Sequence, residues 1–251
     1  NIAEFAKTYR VPKVIFLSSC SLWGKGVEGL VSEDDVPEPV EIYGRSKWEA
    51  EKILRSYKED FVSVIFRCAV IVDSGRLGLM TILFEFISEG RKIWVIGGGK
   101  NSYQFIYGQD LIDACIKAVD HDRSETLNIG SDDVKPFRDI YEHVIQKAGT
   151  ASRVSSFPKG LAMFLLKLAH LVRLSPLGPY QYGIIAEDFV FDTTRIKKVL
   201  KWQPTLTNEE MLHRAYEFYA ANSSSIRDRV NVSENKQPAR LGVIRLLKWI
   251  S

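Results

Sequence analysis

Residues 14–24 read VIFLSSCSLWG. Val14, Ile15, Phe16 and Leu17 form an unbroken apolar run, and Ser18, Ser19 and Ser21 follow at once. Strict alternation would mark a strand with one wet face, whereas a continuous apolar run marks a strand covered on both faces, as in parallel sheets flanked by helices. Working outward, residues 62–67 (VSVIFR) read the same way. Between these runs, residues 43–57 place Trp48, Ile53 and Leu54 among Lys, Glu and Arg, the pattern of a helix with one buried face. Upstream, residues 1–10 carry Ile2, Phe5 and Ala6 on one side of a predicted helix. Downstream follow a helix over 80–88, a strand over 93–96, a helix over 110–119 and a strand over 127–129. Strands alternating with helices imply βαβ units, so the expected fold is α/β, a doubly wound parallel sheet.

After Pro136 the pattern becomes mostly helical, with helices expected over 137–148, 161–172, 193–201 and 208–219. That shift suggests a small, mostly helical C-terminal substrate lobe. The expected organisation is a sheet-bearing part over 1–135, the lobe over 136–222, and a tail over 223–251. The tail opens with a polar linker at 223–238, SSSIRDRVNVSENKQP. Residues 241–250 then return to an apolar pattern with Arg245 and Lys248. That end is read either as a terminal helix docking on its own domain or as a helix for peripheral membrane or partner contact.

Composition excludes several classes. The 251 residues carry 34 Lys and Arg against 31 Asp and Glu, a net charge of +3 spread along the chain, so no basic patch argues for nucleic acid. Cys20, Cys68 and Cys115 lie far apart with no C-x-x-C pair, which disfavours zinc and disulfides and points to a reduced, cytoplasmic setting. His121, His143, His170 and His213 share no metal-ligand spacing, so no metal is expected. The most apolar stretch, 161–172, is broken by Lys167 and His170 and is shorter than the roughly 20 residues that span a bilayer.

The chemistry-bearing pattern is Tyr43-Gly-Arg-Ser-Lys47, which puts a phenol and an ammonium one turn apart on one helical face. A free phenol, with a pKa of about 10, is a poor base near neutrality. A neighbouring ammonium favours the ionised form, which fits the phenol for acid–base work. The serines closing 14–24 stand at the carboxyl end of a buried parallel strand, the edge where open α/β sheets bind ligands.

Taken together, VIFLSSCSLWG (14–24), SEDDVPEPV (32–40) and YGRSKWEAEKIL (43–54) resemble the extended short-chain dehydrogenase/reductase family, of the NAD-dependent epimerase/dehydratase type. Arg67 falls where that family has an Arg after its next strand. GGGKNSYQFIYGQD (97–110) is similar to its GDG…FVYVDD stretch, LNIGS (127–131) to its YNIGS, and KKVLKWQP (197–204) to its LGWxP. The resemblance implies a Rossmann-type fold, NAD or NADP as cofactor, and a small-molecule substrate. It implies Ser19, Tyr43 and Lys47 as catalytic, and Ser18, Tyr43, Lys47, Cys68 and Val70 at the cofactor. It places Ser19, Cys20, Ser21, Arg67 and Tyr103 at the substrate. It also implies a homodimer through a four-helix interface that includes the Tyr–Lys helix.

The family's opening GxxGxxG turn, whose bare backbone admits a pyrophosphate to a helix N-terminus, has no match here. Gly97-Gly98-Gly99 has no helix directly after it and is read as a turn. The first three βα units are therefore expected to be missing, roughly 90 residues at about 30 per unit. Three departures bear on substrate. Cys20 and Ser21 replace the Asp-Glu of 4,6-dehydratases, which disfavours dehydration. Val70 stands for the Asn common in sugar-nucleotide enzymes, and Val72-Asp73-Ser74 for a Tyr-Gly-Pro turn. Tyr103 stands for a diphosphate-binding Arg, leaving Arg67, Lys100 or Arg76 to meet phosphates. The expected activity is NAD(P)-dependent oxidoreduction or epimerisation at a secondary alcohol or ketone, first of a nucleotide sugar. A hydroxysteroid-dehydrogenase-like reductase of a hydrophobic alcohol and a non-catalytic remnant are the alternatives.

Overall fold

The computed structural model describes residues 1–24, 29–76, 78, 80–164 and 186–227. In chain order the elements are α1 (Ile2–Thr8), β1 (Lys13–Ser19), β2 (Leu30–Val31), α2 (Ile42–Ser56), β3 (Val62–Cys68), β4 (Val70–Val72), α3 (Met80–Ser88), β5 (Lys92–Ile96), β6 (Phe105–Tyr107), α4 (Gly108–Asp120), β7 (Glu125–Ile129), α5 (Phe137–Ala148), β8 (Arg153–Phe157), β9 (Val190–Phe191), α6 (Thr194–Leu200) and α7 (Asn208–Arg227). Residues 159–164 are also helical; the rest of the helix expected over 161–172, and the tail from 228 to 251, lie outside the described residues.

The chain forms two compact units that interleave in sequence. The first comprises Asn1–Ile71, Gln104–Asp132 and Phe189–Thr205. Its centre is a parallel sheet in the order β1-β3-β7. β3 lies in the middle, and Val64, Ile65 and Phe66 are at most 1% exposed, which accounts for the absence of polar alternation in that run. On one face Ala3 and Ala6 of α1 and Leu54 of α2 pack with Phe61 and Ile65. The small alanines let α1 approach while its Ile2 and Phe5, and Tyr9 just after it, stay exposed. α4 buries Leu111, Ala114 and Ala118, and the Lys13 ammonium donates to its Val119 carbonyl. Trp202, fully buried, donates from Nε1 to the Asp110 carbonyl at 2.9 Å, while the Asp110 carboxylate accepts from the amide and hydroxyl of Thr205. The KWQP stretch is thus a latch onto the start of α4.

The second unit comprises Val72–Tyr103, Asp133–Asp188 and Leu206–Ser251. β5 and β8 pair in parallel, from Lys92↔Arg153 to Ile96↔Phe157. α3 and α7 meet through Phe84, which lies 5.9 Å from the Tyr216 ring and 5.8 Å from that of Tyr219. Two features depart from the sequence pattern. β8 falls in a stretch read as mostly helical and given no strand, and α7 runs eight residues past 219 to Arg227, into the expected linker. Ile226, fully buried, holds that last part to the unit. Gly97–Gly99 is a turn, as expected, with all three glycines at positive φ.

Candidate active site

Ser19 ends β1 in extended backbone, and the chain then tightens into a 3-10 turn over Cys20–Leu22. All three turn residues are buried, so the turn is held by packing. The Ser19 hydroxyl oxygen accepts from the Ser21 amide at 3.1 Å and lies 2.9 Å from the Ser21 hydroxyl oxygen, within hydrogen-bond distance. One residue earlier, the Ser18 hydroxyl is buried and, among the described residues, has no hydrogen-bond partner. A buried hydroxyl left unmatched costs free energy, which makes it a receptive group at this edge.

Opposite this turn α2 begins. A Cβ on Gly44 would stand 2.2 Å from the Ser21 carbonyl oxygen and 3.1 Å from Pro39 Cβ. No side chain larger than hydrogen fits, and glycine there lets the start of α2 close on the end of β1. Tyr43, the preceding residue, remains 55% exposed. One turn on, Lys47 donates from Nζ to the Leu17 carbonyl at 2.9 Å. That ammonium lies 4.8 Å from the Phe16 ring centroid and 5.7 Å from the Tyr43 ring centroid, within cation–π range of both. β1 and α2 therefore bring Ser18, Ser19, Cys20, Ser21, Tyr43 and Lys47 to one sheet edge. Cys68 joins them across the sheet, since it is the register partner of Ser19. Its thiol points to the Phe66 carbonyl at 3.6 Å, and Val70 lies two residues further on, half-buried.

Arg67 and Tyr103 are placed differently. Arg67 is 1% exposed. Its Nε and Nη2 donate to the Glu51 carboxylate at 3.2 and 3.0 Å, its Nη1 to the Glu33 carbonyl at 3.0 Å, and the guanidinium lies 5.2 Å from the Trp23 ring centroid. Each of its three nitrogens thus donates within the protein itself. Glu51, fully buried on α2, also accepts from Arg55 at 2.8 Å. Burial pushes the Glu33 carboxyl above its ordinary range, against the lowering effect of the Asn128 amide and the Arg195 guanidinium. Tyr103 belongs to the second unit, is 4% exposed, and its carbonyl accepts from the Asn208 amide at 2.8 Å. Lys100 and Arg76, also in that unit, are exposed.

Sequence reasoning passed over Gly44 and Glu51. The signal for the first was a glycine between Tyr43 and Lys47 in a helix, where it is otherwise unfavourable. For the second it was an acid one turn beyond Lys47 on the same face. Among the described residues no group of three or more His, Cys, Asp or Glu side chains could hold a metal, and no helix is long and apolar enough to cross a membrane.

Residues 1–130 match the model of the NAD dependent epimerase/dehydratase family. The chain belongs to this family. An uncharacterized protein, y4nG, of Sinorhizobium fredii is 34% identical over 95% of this chain and 61% of its own. The human sterol-4-alpha-carboxylate 3-dehydrogenase, decarboxylating, is 23% identical over 87% of this chain and 64% of its own. The chain thus spans less than two thirds of the length of either relative. Among solved structures, UDP-glucuronic acid 4-epimerase from Bacillus cereus in complex with NAD superposes with a TM-score of 0.67 at 19% identity, covering 88% of this chain and 65% of that one. The family's fold is therefore the α/β fold with a parallel sheet described above.

Proposed function

We propose that the whole protein is an NAD(P)-dependent oxidoreductase or epimerase acting at a secondary alcohol or ketone of a nucleotide sugar. The observation that carries this is the convergence of Ser19, Tyr43 and Lys47 at the carboxyl edge of a parallel sheet, with Gly44 closing α2 onto the turn after β1. Tyr43 exchanges the proton of the reacting hydroxyl, and Ser19 fixes that oxygen. Lys47 has three donors and uses one on Leu17, so the others are available to ribose hydroxyls. Ser18, with its buried partnerless hydroxyl, suits a polar cofactor atom at the same edge. When bound there, the nicotinamide supplies hydride acceptance and donation.

The nucleotide sugar is supported by the fold match to a UDP-glucuronic acid 4-epimerase. A second substrate reading, a hydrophobic alcohol of the sterol type, is favoured by the internal engagement of Arg67, which takes it away from phosphates, by Tyr103 standing in place of a diphosphate-binding Arg, and by the sterol dehydrogenase relative. Thermal unfolding of the whole protein separates the two, because a ligand that binds only the folded state raises its stability by mass action. Stabilisation by UDP supports the nucleotide sugar, while stabilisation by a 3β-hydroxysterol and not by UDP supports the second. A homodimer is part of the same proposal, supported by Ile2 and Phe5 on α1, Tyr9 just after it, and Ile42 and Ile53 on α2, all more than half exposed.

A further inference from the structure

We infer that Ser21 is a positioning residue that fixes Ser19 as a hydrogen-bond donor, so that the substrate's hydroxyl proton passes to Tyr43 directly and never through Ser19. This rests on the function proposed above. A serine hydroxyl has one proton and two lone pairs. The Ser21 backbone N–H can only donate, so at 3.1 Å it occupies one lone pair of Ser19 Oγ. The Ser21 hydroxyl lies 2.9 Å from the same oxygen, and Ser21 is 5% exposed. If Ser19 donated across that contact, the buried Ser21 proton would lose its acceptor, an arrangement folded proteins avoid. With Ser21 donating instead, both lone pairs of Ser19 Oγ are filled. The Ser19 proton, on a half-buried residue, is then the group left to face the reacting oxygen.

The consequence is a fixed direction of proton flow. In oxidation the alcohol O–H bond breaks and its proton goes to the Tyr43 phenolate oxygen. An oxidised nicotinamide, when bound, would supply the acceptor for the hydride lost from the carbinol carbon as the carbonyl double bond forms. Ser19 donates to that oxygen throughout, but with no lone pair open it cannot take up the proton and relay it. Ser21 also ties the two halves of the site together. Its amide and hydroxyl hold Ser19, while its carbonyl is the atom against which the Gly44 backbone seats. Both constraints act through one residue of a buried turn.

Neutron diffraction from crystals of the deuterated whole protein locates the deuterons without any substrate. The expected map has the Ser21 deuteron on the line to Ser19 Oγ and the Ser19 deuteron directed away from Ser21; the opposite placement overturns the inference. Kinetics supply the second arm, with NAD and either UDP-glucose or a 3β-hydroxysterol as probe. S21A is expected to lower kcat about 3- to 10-fold, the scale of one hydrogen bond, with KM little changed. S21T, which keeps the hydroxyl, is expected to restore at least half of kcat, and S19A/S21A to be no slower than S19A. S21A at wild-type kcat, or losses that multiply in the double variant, would contradict it. Absence of turnover by the wild type with both probes would fall on the proposed substrates, leaving the neutron map to decide the role of Ser21. If S21A fails to fold, S21T and the map carry the test.

Discussion

The backbone of Gly44 seats against the carbonyl oxygen of Ser21 so closely that a Cβ would stand 2.2 Å from it. That approach joins the helix bearing Tyr43 and Lys47 to the turn bearing Ser19. Gly44→Ala is therefore expected to push the start of α2 off the turn, at a cost of about 1–3 kcal/mol, the usual range for overpacking. Urea unfolding measures this, and a variant within about 0.5 kcal/mol of wild type, the range of neutral surface changes, would show that the contact relaxes freely.

Arg67 and Glu51 form an ion pair in which both side chains are at most 1% exposed. Removing one partner leaves a buried charge uncompensated, so Glu51→Ala should destabilise the protein by about 3–5 kcal/mol. Chemical denaturation tests this. A loss below about 1 kcal/mol, the value of an exposed pair, would mean that water reaches the guanidinium.

Burial raises the Glu33 carboxyl above its ordinary value, so the folded state holds that proton to higher pH than the unfolded chain does. Between the two values the folded state binds more protons, and stability from this group falls as pH rises. Glu33→Gln removes the titration and keeps an oxygen able to accept from the Asn128 amide. The variant should gain on wild type as pH is raised through the window that begins near 4.5. Thermal unfolding at a series of pH values reads the difference, and a difference that is flat with pH, or moves the other way, contradicts the assignment.

Lys47 donates to the carbonyl of Leu17, an exposed residue to which water has access. Lys47→Met should accordingly leave stability nearly unchanged while weakening NAD binding by the whole protein about tenfold or more, the value of a charge-assisted hydrogen bond. Calorimetric titration checks it. Unchanged affinity would remove Lys47 from the cofactor site.

The strand β3 was legible because a parallel strand covered on both faces leaves an unbroken apolar run, and α2 because its buried stripe repeats at 3.6 residues. The same pattern in residues 14–17 marked the strand β1 but not its burial, since β1 ends the described sheet order and its Leu17 is exposed. β8 was not, since RVSSF carries too few apolar residues to register and derives its identity from β5 beside it. The end of α7 was hidden by Ser223, Ser224 and Ser225, which signal a linker locally, while Ile226 anchors the turn. Within the site, the placement of Tyr43 and Lys47 on one helix face and of Ser19 at a strand end could be read because those spacings are local, while the roles assigned to them come from the family resemblance. The engagement of Arg67 could not, because Glu51 lies 16 residues away and only the packing of α2 on the sheet brings the two together.

The central claim is that Tyr43 carries the proton at this edge, and Tyr43→Phe in the whole protein tests it most directly. The substitution removes one hydroxyl from a residue that is 55% exposed, so the fold should be retained. Turnover with NAD and the accepted substrate should fall by about 10²–10⁴-fold, the usual contribution of a general acid–base group. A folded Tyr43→Phe protein that retains more than about a third of the wild-type rate would contradict the account.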